Sequence, residues 1–124
     1  MSKTDKPLRL EDLEIYVLAM EIGEIIWEEV STWEYLHRNH PGNQYVRAAD
    51  SIAANISEGH GRFFFKEKKQ FTYFSRGSLQ ETKTWTAKSF KRKLIAEPRF
   101  RELMDKMETL HYKINSYIKN LKEL

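Results

Sequence analysis

A chain of 124 residues, 40% apolar and 13% aromatic, has the make-up of one folded domain with a single modest core. The absence of cysteine excludes disulfides and thiolate metal sites, and five glutamates between Leu13 and Val30, the most apolar window, exclude a membrane span. The net charge of +3 conceals an asymmetry: residues 8–38 hold two basic against eight acidic side chains, whereas residues 63–96 hold nine basic against two acidic. Three fates are open to that asymmetry: neutralisation inside one molecule, pairing between subunits, or presentation of a basic face to a polyanion.

The opening "MSKTDKPLRLED" has no continuous apolar run, so no secretory signal is expected. The expectation is a soluble, cytoplasmic, single-domain protein over residues 1–124, with residues 1–9 as a short tail. The spacing predicts a first helix from Leu10 to His37, with Leu18, Ile22, Ile25, Ile26, Trp33 and Leu36 on its buried face. "HRNHPGN" then reads as a turn, carried by Asn39, Pro41, Gly42 and Asn43. A second helix from Gln44 to Glu58 presents a narrow stripe of Ala48, Ala49, Ile52, Ala53 and Ile56, small enough for close helix contact.

A third helix is predicted from Lys66 to Lys93, with Phe71 and Phe74 in the core by amphipathic spacing. The fourth begins near Pro98, a residue suited to a first turn. Its Phe100, Leu103, Met107, Leu110, Ile114, Tyr117, Leu121 and Leu124 alternate steps of three and four, a coiled-coil-like seam. Four helices with short connections imply an all-α, antiparallel, up-down-up-down bundle.

"QYVRAADSIAANISEGHGR", followed after thirteen residues by "RGSLQE", resembles the four-helix-bundle proteins encoded in 23S rRNA intervening sequences, to which accessory proteins of diversity-generating retroelements are related. The matching positions run from Gln44 and Arg47 through Ser51, Asn55, Glu58, Gly59, Gly61 and Arg62 to Gly77, Ser78 and Glu81. The resemblance implies a homo-oligomeric bundle, commonly a pentamer, without known catalytic activity. In its retroelement branch it also implies a basic surface that binds nucleic acid and a reverse transcriptase. The chain departs from the family pattern in three places: Phe63-Phe64-Phe65 where a Ser or Thr usually caps the helix, no proline near Ala53, and Asp50 at a usually apolar position. These departures bear on local packing and partner surface rather than on the fold.

Glu34-x-x-His37 and Glu108-x-x-His111, with Glu58 and Glu81, match the ligand types of a di-iron bundle. At a rise of ~1.5 Å per residue, however, the ligands sit at different heights, and Glu108 and His111 flank the fourth-helix seam. Six ligands at such heights do not converge, so no metal and no cofactor is expected. Nucleophilic catalysis has no Cys and no Gly-x-Ser-x-Gly elbow to use, and "EGHGR" follows a helix and lacks the Lys-Ser/Thr ending of a phosphate loop.

Nucleic acid, rRNA among the candidates, remains as a partner. The residues proposed to meet phosphates are Arg47, Arg62, Lys66, Lys68, Lys69, Arg76, Lys83, Lys88, Lys91, Arg92 and Lys93. The plainer reading of the last four is cations favourably placed at a helix C-terminus, and both readings can hold together. Ser51, Asn55, Glu58, Gly59, Gly61, Gly77, Ser78 and Glu81 are read as a packing and assembly motif. Glu58 is expected to meet Arg62 or backbone at the turn, and Asn55 and Ser78 to satisfy a neighbouring helix or another subunit.

Overall fold

The computed structural model describes residues 8–121. A short 3-10 turn, Leu10–Asp12, leads into α1 (Glu14–Ser31), followed by α2 (Tyr35–Asn39), α3 (Pro41–His60), α4 (Phe65–Lys91) and α5 (Glu97–Asn120). The described residues contain no strand. The fold is all-α, with four long helices around one core. Leu124, assigned above to the seam, lies outside the described residues.

Cross-helix contacts define the arrangement. Tyr45 meets Thr86, the Ile52 carbonyl meets Ser75 and the His60 carbonyl meets Lys68, so α4 descends as α3 rises. Lys83 with Glu108 and Arg76 with Asn115 pair α4 with α5 in opposite directions. Glu14 with Lys113 and Glu21 with Lys106 do the same for α1 and α5. Contacts between α1 and α3 close the ring, which leaves α1 and α4 at diagonal corners.

The first long helix is shorter than its periodicity predicts. Ser31 and Thr32 turn their hydroxyls onto the Trp27 and Glu29 carbonyls, at 2.6 and 2.7 Å, the local competition that makes such residues favour helix ends. Trp33 then folds inward, stacks on Tyr45 at 6.1 Å and donates its indole N–H to Glu29 Oε2 at 3.0 Å. A straight continuation to His37 would forfeit that anchor. Leu36, expected in the core, is 66% exposed on α2.

Pro41, Gly42 and Asn43 form the first turn of α3 instead of a loop. Proline fits there because its missing N–H would have no intrahelical partner and its φ is already helical. Gly42 is needed for space: a Cβ would lie 2.8 Å from Val30 Cγ1 and 3.0 Å from the His37 carbonyl.

The largest revision concerns α4. Its buried stripe is Thr72, Ser75, Leu79, Thr82, Thr86 and Ser89, rotated by one residue from the expected Phe71 and Phe74. Phe74 is 49% exposed and Phe71 is half-buried. Short hydroxyl side chains let α4 come close to the alanine stripe of α3, where phenyl rings would hold the backbones apart. Most of the hydroxyls find protein acceptors: Thr82 and Thr86 bond to the carbonyls of Ser78 and Thr82 in their own helix, Ser75 crosses to the Ile52 carbonyl at 2.8 Å, and Thr86 meets the Tyr45 hydroxyl at 2.7 Å, whereas the buried Ser89 hydroxyl has no partner among the described residues. Burial raises the Tyr45 phenol far above its ordinary value.

The expectations for α3 and α5 match the structure. Ala48, Ala49, Ile52, Ala53 and Ile56 are buried, as are Leu103, Met107, Leu110 and Ile114. Pro98 lies in the first turn of α5. Leu121 caps the C-terminus of that helix and Ile118 completes the seam.

Candidate nucleic-acid interface

At the α3–α4 turn, the cations hold the turn together. Arg62 reaches Glu58 at 3.3 Å and Glu67 at 3.5 Å, and its guanidinium lies 4.8 Å from the Phe71 ring centre. The expected Glu58–Arg62 pair is therefore present. Lys68 donates to the His60 carbonyl at 3.0 Å, closing the C-terminus of α3. Lys69 lies over the Phe65 ring, and Lys66 is exposed. Gly59 permits this closure, since a Cβ there would stand 3.0 Å from Phe71 Cβ and 3.2 Å from the Lys68 carbonyl. Gly61 carries ordinary right-handed helical angles and has room for a Cβ, so the turn does not depend on it.

Mid-helix, the cations are tied to α5. Arg76 donates to Asn115 Oδ1 at 2.8 Å. Lys83, its side chain only 11% exposed, contacts both Glu108 Oε1 and His111 Nδ1 at 2.8 Å. An ammonium has no acceptor, so His111 Nδ1 must accept and its proton sits on Nε2. The His111 pKa falls through burial and then through Lys83, while the hydrogen bond and charge of Lys83 hold Glu108 below the usual carboxylate range. Glu34 and His37 lie far off, at and within α2, and the described residues contain no cluster of three candidate metal ligands.

The end of α4 differs. Lys88, Lys91, Arg92 and Lys93 are all exposed, and none forms an ion pair with a described residue. Lys88 lies over the Trp85 ring at 5.3 Å. The corner beneath is rigid: Phe90 stacks on Phe100 at 4.1 Å and Ile95 is buried. The Leu94 N–H reaches back to the Ser89 carbonyl at 2.8 Å, and Lys93 adopts a φ of 65°. That left-handed position in a helix C-cap is usually glycine. Here it carries a charge.

The acidic helix α1 meets α5 instead of α4. Glu14, Glu21 and Glu29 pair with Lys113, Lys106 and Arg99 at 2.8, 2.6 and 3.6 Å. Among the described residues, the α1 carboxylates thus neutralise cations of α5 and none of α4.

The assembly motif divides into local parts. Ser51 Oγ donates to the Arg47 carbonyl, and Asn55 Nδ2 to the Ser51 carbonyl at 2.9 Å, so within the molecule Asn55 bonds to its own helix. Glu81 accepts from the Trp85 indole at 3.3 Å, Ser78 is half-buried, and Gly77 is exposed with open space where a Cβ would stand. The fully buried polar contacts that link helices come from Tyr45, Ser75 and Thr86, none of them singled out in the sequence. Their only signal was Ser and Thr recurring at steps of three and four, overshadowed by the phenylalanines alongside. Arg47 lies apart from the α4 cations, in a cleft toward α1.

The signature of the 23S rRNA-intervening sequence proteins matches residues 11–116. The chain belongs to that family. A crystal structure of a protein of unknown function from the S23 ribosomal protein family of Bacteroides thetaiotaomicron shares the fold, with a TM-score of 0.76 and 16% identity over 86% of this chain and 99% of that one. No curated protein sequence matches the chain. The family signature spans every helix from α1 to most of α5, so the basic corner lies inside the family domain. No described helix is long and apolar enough to cross a membrane.

Proposed function

We propose that this family member is a non-catalytic, homo-oligomeric bundle that binds nucleic acid or a nucleoprotein through the basic corner where α4 turns into α5. One observation carries the reading: Lys88, Lys91, Arg92 and Lys93 are contiguous, exposed and without carboxylate partners among the described residues, whereas Arg62, Arg76, Lys68 and Lys83 are engaged within the fold. Four unneutralised cations on a rigid corner suit a phosphate backbone, and phosphate contacts dominate affinity for nucleic acid. Trp85 beside Lys88 adds a surface on which a base can stack. This narrows the interface from the whole helix to its last turns.

The test is a binding titration with rRNA fragments and duplex DNA at two or more salt concentrations, beside light scattering for oligomer mass. Neutralising Lys88, Lys91 and Arg92 together to Gln is expected to weaken binding and flatten log K against log[salt] by about 2–3 units on duplex DNA, near 0.9 per lost phosphate contact. Unchanged affinity and slope in that variant would refute the interface. A second reading, an assembly scaffold without a nucleic-acid role, draws on Val17, Met20 and Trp27, which are 51%, 45% and 57% exposed along α1. It predicts oligomers with no salt-dependent nucleic-acid affinity.

A further inference from the structure

Along the α1–α3 edge, across the bundle from the basic corner, lies a cleft of about 730 Å³. Its lining includes Trp27, Arg38, Asn39, Asn43, Arg47 and Asp50. That volume is in the range of small-molecule sites, about 300–1,000 Å³. Its chemistry is unusual for a surface groove. Trp27 is 57% exposed, so part of a large apolar ring faces the cleft and water. Arg38 and Arg47 form no ion pair with any described residue, although seven other described cations do. Arg38 is braced by the Tyr35 ring at 5.9 Å. The first turn of α3 opens beside the cleft without a side-chain cap: His40 at the N-cap position makes no cap bond, and Asn43 turns its amide back onto the Asn39 carbonyl at 3.1 Å. Uncapped N–H groups add positive potential there.

From these features we infer that the cleft binds a nucleoside 5′-phosphate unit, either as a free nucleotide or as the 5′ end of a single strand. Two guanidiniums match a dianionic phosphate, which arginine can hold bidentately. The indole of Trp27 offers a face for the base. The Asp50 carboxylate, one helical turn beyond Arg47, accepts from a base amino group and leaves the phosphate to the cationic end. This site is separate from the α4–α5 corner and does not depend on it.

Calorimetric titration with GMP, guanosine, inorganic phosphate, and a single-stranded RNA octamer with and without a 5′-phosphate tests the inference. GMP or the 5′-phosphorylated octamer is expected to bind saturably with a Kd at or below about 1 mM. Guanosine and the 5′-hydroxyl octamer should bind at least tenfold more weakly, and inorganic phosphate should compete. Binding of GMP as tight as the octamer identifies a nucleotide site, and binding of the phosphorylated octamer alone identifies a strand-end site. Arg38→Gln, Arg47→Gln and Trp27→Ala change exposed side chains, and each should weaken binding about tenfold or more without altering the circular dichroism spectrum. Neutralising Lys88, Lys91 and Arg92 should leave GMP binding unchanged. Absence of saturation by every phosphorylated probe, or equal binding of guanosine and GMP, would overturn the inference. So would affinity retained in the Arg38→Gln/Arg47→Gln variant.

Discussion

The same substitution, glycine to alanine, should act in opposite directions at two sites in this bundle. Gly77 is exposed in the middle of α4, and a Cβ there meets nothing within 4 Å. Alanine at that position gains helix propensity of about 1 kcal/mol relative to glycine, partly by narrowing the unfolded ensemble. Gly59 has the same propensity to gain, but its Cβ would stand 3.0 Å from Phe71 Cβ and 3.2 Å from the Lys68 carbonyl, neither of them the end of a flexible chain. Forcing α3 and α4 apart costs about 1–3 kcal/mol, as overpacking in tight cores does. The net expectation for Gly59→Ala is a loss of up to about 2 kcal/mol after the propensity gain is subtracted. Gly77→Ala should raise Tm by a few degrees, since about 1 kcal/mol shifts a domain of this size by roughly 3–6 °C. Urea unfolding followed by circular dichroism at fixed protein concentration measures both. If Gly59→Ala proved as stabilising as Gly77→Ala, the close α3–α4 approach would be wrong. If Gly77→Ala destabilised the protein and reduced its oligomer mass, another backbone must approach α4 at that point.

Three further outcomes follow from the same geometry. Tyr45→Phe should cost about 0.5–1.5 kcal/mol, because Thr86 keeps its bond to the Thr82 carbonyl, whereas Thr86→Val strands a buried phenol and should cost about 1–3 kcal/mol; equal losses in urea unfolding would contradict the asymmetry. The His111 pKa is lowered from 6.5 by burial and Lys83, so the unfolded chain binds its proton more readily and stability should fall as the pH drops through that value. His111→Gln should flatten the dependence of Tm on pH between about 7 and 5, and an unchanged profile would remove His111 as its source. Lys93 sits at a φ of 65°, so Lys93→Gly should stabilise the chain by about 0.5–1 kcal/mol. A loss of stability in the same unfolding assay would mean that the lysine side chain itself anchors the corner.

Much of this architecture follows from residue order. The α5 seam and the alanine stripe of α3 each present a single periodic apolar face, so periodicity alone identifies what is buried. The family, too, is legible in the motif from Gln44 to Arg62 together with that from Arg76 to Glu81. Helix α4 carries two competing stripes one residue apart, one aromatic and one of small hydroxyls. Hydrophobicity favours the first, and the structure buries the second, because the close approach of α3 and α4 suits mostly short side chains, and most of their hydroxyls find acceptors. The end of α1 escaped for a related reason: Trp33 leaves the helix to reach Tyr45, a partner known only once α3 lies beside it. The candidate site was legible as a pool of cations. Which of them are free depends on the position of each carboxylate and carbonyl acceptor around them. The chain's own order therefore determined its helices and its family. Tertiary packing decided which face of α4 meets the core, which cations remain for a partner, and where α1 and α3 leave a cleft.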